Sequence, residues 1–385
     1  MRVLYISKAL VVGTYQRKLE EIAKFPDVEL RAIVPPYWRE GEYRQVLEPR
    51  YTSGYELVAE HMRFNGHYHL HYYPNLRRHL LEWQPDVVHV DEEPYNFATA
   101  HAIWQARRVG AKTVFFAWQN IYRIYPPPFY FIELYSLLKS HAAQAGTRQA
   151  QEVLRRKRFS YPSAVFPQFG VDAALFSPDP HSSDDDDVFR IGYVGRLVPA
   201  KGIHVLLAAA ARLSFPYQLQ LIGTGPAEAP LRSHANSLGI QDRVEFVGQV
   251  PSSEMPAYYR AMHVCVLPSL TTPNWKEQFG RVLIEAMACG VPVVGSESGE
   301  IPEIVGSDDD EPGGRTFPEG DAETLANILT ELHGDPSLCR DYGAQGRERV
   351  LREFTQERIA AKTVRMYRQL THGLLYTAQQ ESTRP

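Results

Sequence analysis

Short apolar runs recur along this chain, and most are followed by a longer stretch in which apolar residues return every three or four positions. In the first half the runs lie at 2–7, 28–34, 85–91 and 112–117. In the second they lie at 189–194, 219–225, 244–250, 263–268 and 291–294. Runs this short with no polar alternation predict strands covered on both faces, as in a parallel sheet. Helical periodicity follows up to Lys24, and again over 96–109, 129–143, 203–213, 280–290, 321–333, 338–352 and 355–372. Strand, helix and strand in alternation predict doubly wound α/β units.

With 385 residues the chain is too long for one ordinary domain and suggests two. The expected division is 1–170, 171–360 and a C-terminal helix or tail at 361–385 that returns toward the first domain. Between the second and third strands, residues 37–72 hold six tyrosines and show no clean period. His61, His67, His69 and His71 read there as alternating positions on a solvated strand. Asp184 to Asp187 reads as part of a solvated linker.

Hydrophobic residues make up 44% and charged residues 22%, the balance of a water-soluble globular protein. A net charge of -4 argues against a nucleic-acid surface. Cys265, Cys289 and Cys339 are too widely spaced for a metal pattern and fit a reducing compartment. No run approaches the ~18–20 apolar residues that span a bilayer. Lys8 interrupts the N-terminal run and no small-residue cleavage site follows, so that run reads as a strand rather than a secretory signal. A cytoplasmic protein is expected, with peripheral membrane contact left open.

The densest chemistry lies in Glu277-Gln-Phe-Gly-Arg-Val-Leu-Ile-Glu285 and the following Ala-Met-Ala-Cys-Gly-Val-Pro-Val-Val-Gly295. Gly280 opens a short helix and Gly290 stops it, with Pro292 just beyond. Glu285 falls inside an otherwise apolar helix, a costly place for a carboxylate that nothing hydrogen-bonds. Glu277 precedes the helix, beside backbone amides suited to an anion. Two carboxylates and a helix N-terminus suit a ligand that is part sugar hydroxyls and part phosphate.

A second cluster is Gly195-Arg-Leu-Val-Pro-Ala-Lys-Gly202, after the strand at 189–194. Gly195 permits close backbone approach, and Arg196 and Lys201 offer a fork and a point charge for one anion. In the first half, strand ends deliver Gly13, then Asp91-Glu92-Glu93, then Trp118-Gln119-Asn120, where open parallel sheets hold ligands. Tyr122, Tyr125, Phe129, Tyr130, Phe131 and Tyr135 follow, with Arg123 and Arg155 to Arg158 near them in sequence. Aromatics with basic neighbours suit a membrane interface or a sugar chain, and the same spacing suits packing onto their own domain.

The Glu277–Glu285 spacing, the Phe-Gly after Glu277, the Ala-Cys-Gly-Val-Pro-Val-Val run and the Gly-Arg-Leu…Lys-Gly loop together resemble the retaining nucleotide-sugar glycosyltransferases of family GT4. Phe166-Pro-Gln-Phe-Gly-Val-Asp…Phe-Ser-Pro178 is similar to that family's interdomain linker. The resemblance implies a GT-B fold, two Rossmann-like domains facing across a cleft, with acceptor bound mainly by the first and donor by the second. It implies transfer of a sugar from a nucleoside diphosphate to a saccharide, lipid-linked or small-molecule acceptor with retention of configuration. No metal or other cofactor is expected.

Arg196, Lys201 and Glu277 are the implied catalytic residues; Gly13, Gly195, Val250, Phe279, Gly280, Leu283 and Glu285 are the implied donor-binding ones. Asp91, Glu92, Trp118 and Gln119 are candidates for the acceptor. Family members commonly carry a histidine near position 118; here Trp118 or Gln119 stands instead. A nucleotide-sugar epimerase on the same fold and a metal-dependent transferase using the acids at 91–93, 184–187 or 308–310 are the alternatives.

Overall fold

The computed structural model describes residues 1–41, 43–179, 188–307 and 309–372. The chain forms two compact units: Met1–Gly170 joined by the chain from Gln356 onward, and Val171–Thr355.

In the first unit the strands are β1 (Arg2–Ile6), β2 (Glu29–Val34), β3 (Tyr37–Glu40), β4 (Tyr43–Val46), β5 (Glu56–Ala59), β6 (Val87–Val90), β7 (Lys112–Ala117), β8 (Ala142–Ala145) and β9 (Ser163–Val165). Its helices are α1 (Arg17–Ala23), α2 (Leu76–Trp83), α3 (Phe97–Arg108), α4 (Phe129–Lys139) and α5 (Arg148–Arg156). Seven strands form one sheet in the order β5-β2-β1-β6-β7-β8-β9, every pairing parallel, while β3 and β4 make a separate antiparallel ribbon. The strand order reverses between β1 and β6, so the crevice of this sheet opens beyond Ile6 and Val90.

The second unit carries β10 (Phe189–Val194), β11 (Tyr217–Ile222), β12 (Val244–Gly248), β13 (Val264–Leu267), β14 (Val293–Ser296) and β15 (Gly314–Phe317). They pair in the order β12-β11-β10-β13-β14-β15, again in parallel. Around them run α6 (Ile203–Ala210), α7 (Glu228–Ser237), α8 (Met255–Arg260), α9 (Arg281–Ala288), α10 (Ile301–Val305), α11 (Ala322–Gly334) and α12 (Pro336–Glu353). Here the reversal lies between β10 and β13, in register at Ile191 opposite Val264. Ile191, Tyr193, Val264, Cys265, Val266, Leu267, Val293 and Val294 are all buried, as their unbroken apolar runs require.

The last described helix, α13 (Gln356–His372), belongs to the first unit. It rejoins that unit at Gln356 rather than after residue 360, because the Gln356 side chain accepts from Gly170 N at 3.1 Å and donates to Gly170 O at 2.8 Å. Ile359, Ala360, Val364, Met366, Tyr367 and Leu370 then enter the same core as Val3, Tyr5, Leu19, Ile22 and Leu30. Tyr367 is fully buried and its hydroxyl shares a 2.7 Å hydrogen bond with His89 Nδ1.

Two expectations from the sequence change. The periodic run 129–143 is not one helix: α4 stops at Lys139, and Ala142–Ala145 is a buried strand whose alanines and glutamine carry little strand signal of their own. The histidines at 61–71 do not line a solvated strand. His71 is fully buried, with Nε2 3.5 Å from Glu92, and His69 packs its ring against Tyr95 and Phe129.

If α13 is an integral part of the first unit's core, Tyr367→Ala should lower the unfolding free energy by about 3–5 kcal/mol, the usual cost of emptying a buried aromatic site. Urea unfolding of the full chain measures this. A stability equal to wild type would show that α13 merely rests on the surface.

Candidate active site

In the second unit the loops at the carboxyl ends of β10, β11, β13 and β14 meet at the reversal point of the sheet. The turn after β10 ends in Gly202, whose φ of +64° suits glycine and whose missing Cβ leaves room for the Pro268 carbonyl at the end of β13. Leu270 N donates to Ala200 O at 2.8 Å, stitching the same two loops. That close approach sets Lys201 Nζ 2.5 Å from Glu277 Oε2. Ser269 Oγ donates to the same oxygen at 2.8 Å. Glu277 is only 7% exposed, and Lys201 also lies 5.1 Å from the centre of the Trp275 ring.

Three residues further on, Gly280 takes the left-handed conformation at φ +73° and turns the chain into α9. Phe279 and Leu283 are buried around this turn, so the amino end of α9 opens close to Glu277 along the chain. Inside α9, the carboxylate of Glu285 accepts from Arg281 Nε at 2.8 Å and from Tyr259 Oη at 2.9 Å. Those two donors answer the cost of placing an acid in an apolar helix. Burial, and then the neighbouring Glu285, hold the Tyr259 hydroxyl well above its ordinary range, so it stays a donor. The Ser298-Gly299 turn closes this side, its glycine lying against the Glu277 carbonyl.

Arg196 is exposed, and among the described residues its guanidinium has no partner. Its backbone is fixed: the Arg196 carbonyl accepts from Tyr193 Oη at 2.9 Å, and Leu197 N donates to Thr224 O at 2.9 Å. Gly195 N donates to Ile222 O at 2.9 Å, and Gly223 N donates to Gly248 O at 2.8 Å. Val250 follows two residues later, partly exposed beyond β12. Gly195, Arg196, Lys201, Glu277, Phe279, Gly280, Leu283 and Glu285 therefore sit on loops and a helix at one edge of one sheet, with Val250 beyond a neighbouring strand.

Gly13 belongs to the first unit. A Cβ there would stand 2.8 Å from Glu48 O and 2.9 Å from Arg50 Cβ, so the close approach it permits is made to its own unit. Asp91 and Glu92 are buried at the end of β6 and each is engaged internally. Asp91 Oδ2 accepts from Ser7 Oγ at 2.7 Å and Gln168 Nε2 at 2.8 Å, and burial pushes its carboxyl up. Glu92 would also be raised by burial, but its ion pair with Lys8 and the nearby His71 hold it at about 2.

Trp118 lies flat on Gly146 and donates from its indole nitrogen to Gln168 Oε1 at 3.1 Å. Gln119 accepts from Lys157 Nζ at 2.8 Å, and Lys157 also pairs with Glu133 at 2.5 Å. The residues the sequence missed are thus mostly partners: Lys8, Ser269, Tyr259, Gln168 and Lys157. Lys8 alone carried a local signal, a charge at the very end of the first buried strand.

Glu93 is also placed unusually. Oε1 accepts from Trp118 N at 2.8 Å, while Oε2 is buried and has no hydrogen-bond partner among the described residues. Burial pushes this carboxyl up to about 7, against the pull of Trp118 N, Lys157 and Lys8. Among the described residues no three His, Cys, Asp or Glu side chains come together as a metal site. Asp184 to Asp187 and Asp308 lie outside the described residues.

Residues 179–349 match the family model described as glycosyl transferases group 1. The alpha-maltose-1-phosphate synthase of Mycolicibacterium smegmatis is 30% identical over 226 residues, covering 52% of this chain and 56% of that protein. The GDP-mannose-dependent alpha-(1-6)-phosphatidylinositol monomannoside mannosyltransferase of Mycobacterium tuberculosis is 32% identical over 205 residues, covering 50% and 52%. The chain thus spans about half the length of these curated relatives. Among solved structures, a sucrose-phosphate synthase from Thermosynechococcus elongatus aligns with a TM-score of 0.73 at 23% identity, over 97% of this chain and 100% of that one. HepE of Anabaena, solved with UDP, aligns with a TM-score of 0.72 at 19% identity, over 95% and 99%.

The geometry separates the two cations of the β10 loop. Lys201→Ala leaves the carboxylate of Glu277 without its counter-charge and should cost about 3 kcal/mol of stability, near the low end for breaking a buried pair. Arg196→Ala should change stability by less than about 0.5 kcal/mol, as exposed unpaired side chains do. Denaturant unfolding of the two variants decides, and equal losses would refute the distinction.

Glu93 predicts a pH dependence. Between its ordinary 4.5 and about 7 the folded chain holds a proton that the unfolded chain has lost, so this group's contribution to stability falls as pH rises across that window. Glu93→Gln should therefore be more stable than wild type at pH 8, by about 1–3 kcal/mol, and little different at pH 4. Urea unfolding at both pH values tests it; the same offset at both would contradict the assignment.

Proposed function

We propose, on the match of residues 179–349 to the glycosyl transferases group 1 family and on two Rossmann-like units of GT-B type, that the chain is a GT4-type enzyme that transfers a glycosyl group from a nucleoside-diphosphate sugar to a hydroxyl of a saccharide, lipid-linked or small-molecule acceptor, with retention of anomeric configuration. The observation that carries this reading is the Lys201–Glu277 ion pair at the reversal point of the second sheet, flanked by a glycine-rich loop and the amino end of α9. Open parallel sheets bind ligands at that point.

The bond broken is C1–O to the diphosphate and the bond formed is C1–O to the acceptor, whose hydroxyl proton leaves. Negative charge grows on the departing diphosphate. Arg196, exposed and without a partner among the described residues, supplies a bidentate fork for it; Lys201 and the α9 amides supply the remainder. Glu277, held in place by Lys201 and Ser269, orients hydroxyls of the donor sugar. Glu285 has about four lone-pair directions, of which two accept internal donors, leaving acceptor capacity for a ribose. Val250 and Gly195 line the nucleotide.

One relative is named for GDP-mannose and one solved neighbour for UDP; what these share is the diphosphate, the part that Arg196 and Lys201 suit. In this reading the charge stabilisation comes from the chain's own cations, without a metal or other cofactor. The acceptor is assigned to the first unit, near Trp118 and Gln119. The Asp91 and Glu92 side chains hold that crevice in shape rather than contacting substrate. Cys265, Cys289 and Cys339 are free thiols, in keeping with a reducing, cytoplasmic setting.

A thermal-shift panel of nucleotide sugars identifies the donor, since a ligand of the folded state raises its stability. With that donor, Arg196→Ala should lower kcat roughly 10²–10³-fold, the loss typical of one oxyanion donor. Turnover in excess chelator should be unchanged, and the product should carry the donor's anomeric configuration. Conversion of the donor without any acceptor would favour an epimerase, chelator sensitivity a metal-dependent transferase, and full activity of Arg196→Ala would remove the clamp.

A further inference from the structure

Helix α4 is built with its apolar surface on the wrong side for a core helix. Glu133, Ser136 and Leu137 face inward and are buried. Tyr130, Phe131, Leu134 and Leu138 are exposed at 40%, 61%, 38% and 55%. At about 100° per residue these four fall within one ~100° stripe, alongside the buried face. The lead-in to the helix extends the surface with Ile124, 70% exposed, and Tyr122. Scattered exposed hydrophobics are ordinary, but a contiguous stripe along a whole helix marks an interaction surface.

The rim of this stripe is basic. Arg107 of α3 donates to Lys139 O, the last carbonyl of α4, at 3.1 Å, and Lys139 is itself exposed. At the other end Arg156 lies 4.4 Å from the centre of the Tyr122 ring, with Arg123 next in sequence. Glu133, the acid of α4, is turned inward and neutralised by Lys157, so it does not offset these charges. An apolar helix face with cations at both ends, on a chain whose net charge is -4, is a local charge pattern rather than a property of the whole protein.

We propose that α4 and its lead-in form a docking surface for an anionic lipid bilayer, the helix lying in the interface plane. Phe131, Leu134, Leu138 and Ile124 would enter the acyl boundary while Arg107, Arg123, Lys139 and Arg156 meet lipid phosphates. Tyr130 and Tyr122 have the amphipathic rings favoured at headgroup depth. A soluble protein partner would not require cations at both ends of the stripe; an anionic surface does. None of these residues is among those assigned to transfer, and the proposal holds whether or not the chain is a glycosyltransferase.

Sedimentation with phosphatidylcholine vesicles, with and without phosphatidylserine, tests it on the full chain. The protein should pellet with the anionic vesicles only, and less as salt rises and the screening length shrinks from about 10 Å at 0.1 M to about 3 Å at 1 M. Arg107→Gln and Arg156→Gln should each weaken binding about fivefold, the value of one cation near an anionic surface. Phe131→Ser with Leu138→Ser should abolish it while unfolding and thermal-shift responses to nucleotide sugars stay at wild type. Absence of pelleting at low salt would overturn the proposal. So would equal pelleting with neutral vesicles, or a wild-type dimer in solution that the serine variant converts to monomer, which would assign the stripe to a second copy of the chain.

Discussion

The Lys201–Glu277 ion pair is the constraint on which the second unit's site depends. Two loops from different strands must come within touching distance, and the chain achieves this with a residue lacking Cβ where Gly202 passes the Pro268 carbonyl. Once they meet, a lysine and a glutamate that are distant in sequence become partners, and Ser269 locks the carboxylate from its other side. The pair costs desolvation and returns positional precision. It leaves Arg196, on the same loop, as an exposed cation with no partner among the described residues. A site arranged so can receive an anion without first dismantling its own salt bridges.

The first unit solves a different problem with the same chemistry. Three successive acids follow the strand end at its crevice, and their surroundings act on them differently. Glu92 is held ionised by Lys8, Asp91 is shifted upward by burial while Ser7 and Gln168 donate to it, and Glu93 is raised to about 7. Beneath them Lys18 is fully buried, its ammonium lowered to about 8 by desolvation and bonded to Gln168 O. The returning helix α13 closes this layer, with Tyr367 reaching His89. The acids read from the sequence as acceptor candidates are thus each engaged by neighbours of their own unit, as Trp118 and Gln119 are by Gln168 and Lys157.

Legibility in the sequence followed how local each feature is. Lys112–Ala117, Phe189–Val194 and the stop of α9 at Gly290 are encoded by neighbouring residues, and their bounds could be read directly. Ala142–Ala145 could not, because an Ala-Ala-Gln-Ala strand owes its state to β7 and β9 on either side. The same holds at the sites. Gly195, Arg196 and Lys201 share one loop, so their grouping could be read from the sequence alone. That Lys201 answers Glu277, that Tyr259 answers Glu285, or that Lys8 answers Glu92 depends on chain crossings, which periodicity does not contain. His71 misled for this reason: in sequence it alternates with His67 and His69, whereas its neighbours in space are Trp38 and Glu92.

The central claim is that the carboxyl edge of the second sheet binds a nucleoside diphosphate. Amide hydrogen exchange of the full chain, with and without a saturating nucleoside diphosphate, maps this most directly. The account predicts new protection concentrated in Gly195–Gly202, Pro268–Leu283 and Ser298–Glu300, with the strands unchanged. Protection confined to the loops after β1, β6 and β7, or none at any concentration of the four common nucleoside diphosphates, would contradict it.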